Sequence, residues 1–480
     1  MSLSNKNFYI TTTIPYVNAD PHIGFALELV QADIIARAQE LWGREVFFTT
    51  GTDEHGQKVA EAAKKEGKDT QAYVDEYAEK FKTLKDKLGL HPSIHFVRTT
   101  DPVHIEAAQK MWKLCEKDIY KKKYKGLYCV GDEAFVKETD LVDGKCPNHP
   151  NMELQEIEEE NYFFNLGNYK AKVREYLEKD KRVIPEWRRN EALIALAGME
   201  DVSISREAKR LSWGVPVPGD DEQVMYVWFE ALTNYISTLG WPNDPEGNFK
   251  KFWEEGETLQ VAGKDQVKFQ SIIWQAMLFS AGIKNTDTVM YHGFINSGGQ
   301  KMSKSLGNVI HPDALLAEYG IDAVRYYLLR HISPFDDSDM TAESFHEAYE
   351  ANLVNGLGNL VSRVLTMADN YDMSTLEPVI HEPVKIPAFE FLKKFEFKRY
   401  MDNIWEKIQT TDKKIQEKEP YKVYKTDKEE AIRIVSDLCV DLSIIAYLLK
   451  PVMPHTSEVI FDLLRNPPKK PEPLFPRLNA

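Results

Sequence analysis

The feature that most constrains the fold is an alternation of strand patterns and helical patterns in the first part of the chain. Residues 8–13 have the pattern of a buried strand, a helical pattern begins at Phe25, and a second strand pattern covers residues 45–50. A long helical pattern over residues 57–87 follows. Strands that alternate with helices are typical of parallel sheets with helices on both faces. The pattern therefore predicts a doubly wound α/β core.

This α/β pattern is interrupted once and later replaced. Residues 119–222 carry short aromatic strands, turn clusters and an acidic run, which indicate an inserted module. The α/β pattern returns over residues 223–335, and long helical periods dominate residues 336–480. We therefore predict a core split into residues 1–118 and 223–335, an insertion between its halves, and an all-α domain at the end.

The composition indicates a globular protein without a membrane segment. Hydrophobic residues make up 43% and charged residues 28% of the 480 residues, as is common in soluble domains. No apolar run approaches the roughly 20 residues that a membrane span requires, and the first seven residues lack an apolar signal core. The cysteines are too few and too scattered for a disulfide framework, so we expect a reducing cytoplasm: Cys115, Cys129, Cys146 and Cys439.

The net charge limits the kinds of nucleic-acid contact. A formal charge of -15 argues against a nonspecific coat on nucleic acid. It does not exclude an RNA partner of defined shape, because local charge determines phosphate contacts.

Two distant segments have the chemistry of a phosphate site. The run Lys301-Met302-Ser303-Lys304-Ser305 lies in a glycine-flanked loop, and two ammonium groups three residues apart suit a polyphosphate. Near the N-terminus, a Pro/Gly turn that contains His22 separates the first strand from the first helix. A helix N-terminus attracts anions. Taken alone, the lysine run also fits an exposed turn, and His22 also fits a helix-capping or buried histidine.

The turn Pro21-His22-Ile23-Gly24 and the lysine loop resemble, in order and separation, the paired signatures of class I aminoacyl-tRNA synthetases. The resemblance covers nearly the whole chain, and its details are similar to the methionyl-tRNA synthetase family. It implies a split Rossmann-like nucleotide-binding core, a connective peptide insertion and a helical domain that binds the tRNA anticodon. It further implies a ligase that activates methionine with ATP and charges tRNA(Met) in protein biosynthesis. We expect a cytoplasmic monomer.

The implied reaction explains the residue types. A carboxylate attacks the α-phosphate of ATP, so the site needs positioning and charge neutralisation rather than a general base. The resemblance implies His22, Lys301 and Lys304 as catalytic residues, and Mg2+ held through the phosphates. The family's first signature ends in a second histidine, where this chain has Phe25. The implied ATP-binding residues are His22, Gly24, Gly263, Asp265, His292, Gly293, Lys301 and Lys304.

The implied methionine pocket is apolar and aromatic, because a thioether is recognised by shape and by sulfur–aromatic contact. The resemblance pairs Asp53 with the substrate ammonium group, although alone it would fit a helix N-cap. Gln266 and Gln270 replace an aliphatic residue and a histidine of the family. They share one face of a predicted helix and could keep a polar contact or shift the side-chain preference. The implied methionine-binding residues are Ile14, Pro15, Tyr16, Asp53, Trp228, Ala231, Tyr235, Gln266 and Gln270.

The insertion contains two pairs of potential zinc ligands, each separated by two residues. They are Cys129 with Asp132 and Cys146 with His149. Related synthetases hold zinc here, usually with cysteine in place of Asp132, so a lost site is an alternative at least as well supported.

The all-α domain contains three residues that the resemblance assigns to the anticodon. Asn359 and Arg363 lie four apart and suit base-edge hydrogen bonds, and Tyr421 suits base stacking.

Two rival functions stay open. One is a class I synthetase for isoleucine, valine, leucine or cysteine, although the insertion is small for an editing domain. The other is a tRNA-binding paralogue without activation, which Phe25, Gln266 and Gln270 would permit.

Overall fold

The computed structural model describes residues 7–129, 131, 134–136, 140–147, 150–302, 307–371, 387–465 and 472–478. The chain forms two compact units. The first unit comprises Met1–Pro21, Gly43–Lys85 and Pro92–Tyr291, and the second comprises His22–Trp42, Asp86–His91 and His292–Ala480. Among the helices of these described ranges, none has the length and apolar character needed to cross a bilayer.

The strands are short, and most lie in the first unit. In chain order they are β1 (Asn7–Thr11), β2 (Glu45–Thr52), β3 (His95–Arg98), β4 (Ile119–Cys129), β5 (Ala134–Val136), β6 (Gln155–Phe164), β7 (Val183–Ile184), β8 (Val202–Ser203), β9 (Ser205–Glu207), β10 (Pro216–Val217), β11 (Asp220–Met225), β12 (Glu257–Gly263), β13 (Thr288–His292), β14 (Ile295–Ser297), β15 (Gln300–Lys301) and β16 (Ser338–Asp339).

The α-helices are longest in the C-terminal third. They are α1 (Ile23–Leu41), α2 (Gln57–Lys65), α3 (Thr70–Lys82), α4 (Leu84–Lys87), α5 (Pro102–Cys115), α6 (Lys170–Glu178), α7 (Glu186–Gly198), α8 (Val227–Ala231), α9 (Asn234–Ser237), α10 (Trp274–Ala281), α11 (Pro312–Tyr319), α12 (Ile321–Arg330), α13 (Ala342–Ala348), α14 (Asn359–Asn370), α15 (Phe389–Leu392), α16 (Phe397–Lys418), α17 (Pro420–Val423), α18 (Lys428–Leu449) and α19 (Pro454–Arg465).

A six-stranded sheet forms the centre of the first unit, in the order β3-β2-β1-β12-β13-β7. The pairings of β1 with β2 and β12, of β2 with β3, and of β13 with β7 are parallel. In β1, Phe8, Tyr9 and Ile10 are all buried, as expected for a strand covered on both faces. The edge strand β7 comes from within residues 119–222, the predicted insertion. Two residues are too few to produce a periodic signal, so the sequence did not reveal this strand.

The predicted insertion forms a four-stranded antiparallel sheet, β5-β4-β6-β8, and a three-stranded sheet, β10-β11-β9. β4 and β6 pair from Ile119 opposite Phe164 to Tyr128 opposite Gln155. The acidic run therefore lies in β6, opposite the lysines of β4. Lys125 forms an ion pair with Glu156 at 2.7 Å. Such cross-strand pairs of opposite charge favour this register.

The second unit is mainly helical. In residues 336–480 the described part consists of helices and connecting segments apart from the two-residue strand β16. β16 pairs in parallel with β14, and β14 pairs antiparallel with β15. A strand of two residues depends on its neighbours rather than on its own sequence, which is why periodicity did not indicate it.

A buried ion pair joins four segments of the second unit. Asp33 on α1 and Arg325 on α12 are both fully buried, and Arg325 Nη2 lies 2.6 Å from Asp33 Oδ2. The guanidinium group also donates to the carbonyl oxygens of Leu88, Pro451 and Val452, at 3.2, 3.1 and 2.9 Å. A planar group with five donors can satisfy all of these acceptors at once.

Replacing Arg325 with lysine should lower the free energy of unfolding by about 2 kcal/mol, because one ammonium group leaves buried carbonyl oxygens unpaired. The midpoint of urea denaturation measures the change. Arg433→Lys is the matched control, because Arg433 forms an exposed pair with Glu430, and it should change stability by less than about 0.5 kcal/mol. Equal midpoints for the two variants would contradict a structural role for the buried guanidinium group.

Candidate functional site

His22 caps the N-terminus of α1. Its backbone is extended, and its Nδ1 accepts a hydrogen bond from the backbone N–H of Gly24 at 3.1 Å. A nitrogen that accepts cannot carry the proton, so the neutral ring is protonated at Nε2. A Cβ atom at Gly24 would lie 2.9 Å from His22 Cε1, so a larger residue there would displace the imidazole ring from this cap. The capping alternative is therefore correct for Nδ1, and Nε2–H remains available as a donor.

The surroundings of His22 keep its ring neutral. His22 as a whole residue is exposed, but crowding by neighbouring groups desolvates its ring and lowers the pKa of His22 below the usual 6.5. The charges of His311 and His292 act in the same direction, whereas the charge of Glu28 raises this pKa and is outweighed. A neutral His22 retains the Nδ1 cap and the Nε2–H donor together.

Two further contacts order this part of the second unit. The backbone N–H of Ile23 donates to the carbonyl oxygen of Ile310 at 3.0 Å, which joins the start of α1 to the segment before α11. The buried His292 lies with Nε2 2.9 Å from Glu28 Oε2. At Gly293 a Cβ atom would lie 2.2 Å from the backbone of Asp336, so only glycine fits. The predicted ATP residues His22, Gly24, His292 and Gly293 therefore belong to one unit.

The lysine loop begins at a tight hairpin between β14 and β15. Gly298 and Gly299 form its turn with φ of 62° and 75°, values that favour glycine. Lys301 is exposed on β15, and Asn308 donates to its carbonyl oxygen at 3.3 Å. Lys301 thus lies in the same unit as His22. The third predicted catalytic residue, Lys304, lies outside the described residues.

Several predicted methionine-binding residues meet in the first unit. The backbone of Asp53 forms two hydrogen bonds with the N-terminal segment. Its N–H donates to the carbonyl oxygen of Pro15 at 2.9 Å, and its carbonyl oxygen accepts from the N–H of Val17 at 3.2 Å. The ring of Tyr16 meets that of Trp228 edge to face at 5.8 Å. Asp53 is 2% exposed. It is not an N-cap, because Gly56 occupies that position before α2.

The two predicted amides have different partners. The helix expected over residues 266–281 is a 3-10 turn over Lys264–Gln266, a π-helical turn over Phe269–Ile273 and then α10. Gln270 is buried and donates from Nε2 to the hydroxyl of Tyr235 at 2.6 Å. Gln266 instead donates to Asp265 Oδ2 at 2.8 Å. The backbone here is not a regular α-helix, and Gln266 is paired with Asp265, one of the predicted ATP-binding residues.

The structure also shows buried polar residues close to the predicted methionine-binding residues, which the motifs did not indicate. Glu54 is fully buried next to Asp53, and Arg98 donates to it from Nε and Nη2 at 2.8 and 2.9 Å. Glu230 on α8 is fully buried between His55 and His104. The only sequence signal was that Glu54 and His55 follow Asp53 directly. Nothing in the chain pattern linked them to partners 44 to 175 residues away.

The predicted zinc and anticodon residues are described in part. Cys129 and Cys146 are buried, whereas Asp132 and His149 lie outside the described residues. In the described part of the chain, no group of three or more His, Cys, Asp or Glu side chains could hold a metal ion.

On α14, Asn359 is exposed and Arg363 forms an ion pair with Asp412 of α16. Tyr421 on α17 is 48% exposed, as stacking on a base would require.

Comparison with known proteins identifies the family. The family model described as tRNA synthetases class I (M) matches residues 8–156 and 151–365. The methionine–tRNA ligase of Rhizobium meliloti is 36% identical over 512 residues, which cover 98% of each chain. This chain belongs to the methionyl-tRNA synthetase family. The family prediction is therefore confirmed, and so is the predicted α/β class with its helical C-terminal region.

Other members of the methionyl-tRNA synthetase family agree. The methionine–tRNA ligase of Fusobacterium nucleatum is 38% identical over 478 residues, covering 96% of this chain and 74% of that protein. The Mycobacterium tuberculosis methionyl-tRNA synthetase in complex with methionyl-adenylate has a TM-score of 0.87 and 34% identity, and the match covers 95% of this chain and 94% of that one.

Proposed function

We propose that this chain is a methionine–tRNA ligase, which forms methionyl adenylate from methionine and ATP and transfers the methionyl group to tRNA(Met). The main support is that the backbone of Asp53 is hydrogen-bonded to Pro15 and Val17, on either side of Tyr16, whose ring contacts that of Trp228, in a chain of this family. A buried carboxylate suits an ammonium group, and aromatic faces suit a thioether. The Mycobacterium tuberculosis member of the same family has been solved in complex with methionyl-adenylate.

The residues of the second unit suit the phosphate chemistry. The methionine carboxylate attacks the α-phosphorus, a P–O bond forms, and the bond to pyrophosphate breaks without any general base. His22 donates Nε2–H to a phosphate oxygen, and Lys301 and Lys304 neutralise charge that develops on the leaving group. Mg2+ bound through the phosphates would supply further neutralisation.

Gln270 and Tyr235 supply the polar part of methionine recognition. Gln270 Oε1 is buried and has no hydrogen-bond partner among the described residues. A half-turn of the amide would let Oε1 accept from the Tyr235 hydroxyl and would direct Nε2–H away from it as a donor. A thioether sulfur is a weak acceptor and can take such a donor. An amide stays neutral at every pH, unlike the histidine that it replaces.

Gln270→Leu should raise KM for methionine about tenfold and leave KM for ATP unchanged, because it removes the buried hydrogen bond between Gln270 and the Tyr235 hydroxyl. Methionine-dependent pyrophosphate exchange measures both constants. Gln266→Leu is the matched control, because its amide is held by Asp265 instead. A larger effect of Gln266→Leu on KM for methionine would contradict the assigned role of Gln270.

The remaining parts of the proposal concern partners and metals. Asn359, Arg363 and Tyr421 would contact the anticodon, as their chemistry and the exposure of Tyr421 permit. Cys129 and Cys146 would bind zinc together with Asp132 and His149, with a lost site as the alternative, and metal analysis of the purified protein distinguishes these. We propose a monomer that acts in the cytoplasm.

Pyrophosphate exchange with single amino acids tests the main proposal. Methionine should drive exchange well above leucine, isoleucine, valine and cysteine, and tRNA(Met) should be charged. Exchange with leucine but not methionine would establish the first rival. Binding of tRNA without exchange for any amino acid would establish the paralogue.

A further inference from the structure

One buried carboxylate joins four segments of the first unit. Glu230 Oε1 lies 3.0 Å from His55 Nδ1, and Glu230 Oε2 lies 2.8 Å from His104 Nε2. The other ring nitrogen of His104 lies 3.1 Å from Ser237 Oγ. Glu230 is 0% exposed, and the three partner residues are at most 5% exposed. Water therefore contributes little to this network.

Three of these four segments carry residues assigned to the methionine pocket. His55 follows Asp53 by two positions, and Glu230 lies on α8 between Trp228 and Ala231. Ser237 follows Tyr235 by two positions on α9. The fourth segment, α5, carries His104 and no assigned pocket residue. The network thus connects the segment that carries Asp53 with α8, which carries Trp228, through His55 and Glu230, which are 175 residues apart in the sequence.

Glu230 remains ionised in this environment. Burial raises its pKa, but the charge of His55 and the hydrogen bonds from His104 and His55 outweigh burial and hold the pKa of Glu230 below the usual 4.5. A buried carboxylate without partners is strongly unfavourable, so both imidazoles are held in place by its charge. The segments that carry His55 and His104 are held in place together with their imidazole rings.

The loop that carries Asp53 is held from its other side as well. The indole Nε1 of Trp213 donates to the carbonyl oxygen of Glu54 at 2.6 Å, and Gly56 N–H donates to Trp213 O at 3.2 Å. The His55 ring lies 5.8 Å from the indole ring of Trp213. With Trp213 on one side, the bond from His55 to Glu230 determines how this loop lies relative to α8.

We propose that Glu230, together with His55 and His104, is a positioning cluster that sets the place of Asp53 relative to the wall formed by Trp228, and so determines affinity for methionine. This inference rests on the proposed function. Glu230 acts through other residues and does not contact the substrate. A network with a merely structural role would alter stability, and any effect on the reaction would fall equally on methionine and ATP.

The test compares KM values in pyrophosphate exchange for isosteric variants. Glu230→Gln keeps the shape but removes the charge, and it should raise KM for methionine about tenfold while KM for ATP stays within about twofold. Glu230→Asp keeps the charge but is one methylene shorter, so it should give an intermediate value. Asp118→Asn is the matched control: Asp118 is a buried carboxylate that accepts from Tyr169 and Ser280, at 2.6 Å each, and it should leave both constants unchanged.

A second pair of variants serves if Glu230→Gln does not fold. His104→Gln keeps a donor for Glu230 and should retain the methionine KM, whereas His104→Leu removes the donor and should raise it. Unchanged methionine KM in folded Glu230→Gln or His104→Leu would overturn the inference, as would equal rises for methionine and ATP. A wild-type protein without any methionine-dependent exchange would instead overturn the proposed function.

Discussion

Replacing His22 with asparagine should lower kcat for methionine-dependent pyrophosphate exchange about 100-fold to 1,000-fold, which is the usual loss for a donor that stabilises transition-state charge. Asparagine is among the best N-cap residues, so the hydrogen bond from Gly24 N–H and the start of α1 should persist. The imidazole Nε2–H has no replacement in the shorter side chain. KM for methionine should change little, because the contact assigned to His22 is to a phosphate oxygen and strengthens mainly in the transition state.

His22→Ala separates the two tasks of this residue. Alanine removes the cap as well as the donor, so it should also lower the free energy of unfolding by about 1 kcal/mol. Thermal denaturation of both variants beside the kinetic measurement makes the distinction. An asparagine variant with full kcat would show that His22 acts only as a helix cap and would contradict its assigned contact with the phosphates.

The pH dependence of the stability of the wild-type protein also tests whether His22 is neutral in the folded state. In the folded state the pKa of His22 is lowered from 6.5, mainly because crowding desolvates the ring. The unfolded chain therefore takes up this proton first as pH falls. The contribution of neutral His22 to stability is present above pH 6.5 and is lost as pH falls toward the lowered pKa. The asparagine variant should lack this contribution to the pH profile.

Replacing Asp53 with asparagine should raise KM for methionine about 100-fold or more, because the substrate ammonium group would lose its buried carboxylate partner. The substitution keeps the size of the side chain. The hydrogen bonds of Asp53 to Pro15 and Val17 are formed by its main chain, so the loop should keep its course.

A methionine analogue without the amino group provides the control. 4-(Methylthio)butanoate should inhibit the wild type and the Asp53→Asn variant equally, because it presents the thioether and the carboxylate but no ammonium group. The wild type should therefore distinguish methionine from this analogue far better than the variant does. If the variant loses affinity for both compounds alike, Asp53 supports the pocket without binding the ammonium group.

The central sheet shows which part of the fold could be predicted. The apolar run of β1 is buried on both faces, and the helical period of α1 follows it, so local pattern was sufficient for a parallel α/β core. The acidic run was different. Its residues lie in β6 because the lysines of β4 are opposite, and a single segment does not reveal its partner. The two-residue strands β7 and β16 depend on neighbours to an even greater degree.

The same division holds for the site. His22 and the lysine loop could be recognised because their chemistry is concentrated in a few adjacent residues, and membership in the family was readable for that reason. The tautomer of His22, the different partners of Gln266 and Gln270, and the placement of Glu230 between two histidines required the folded chain. These depend on hydrogen bonds between distant side chains and on departures from regular helix. Periodicity reports only what neighbouring residues share, so the sequence alone determined the fold class and the family, and tertiary structure decided which polar groups meet and in what protonation state.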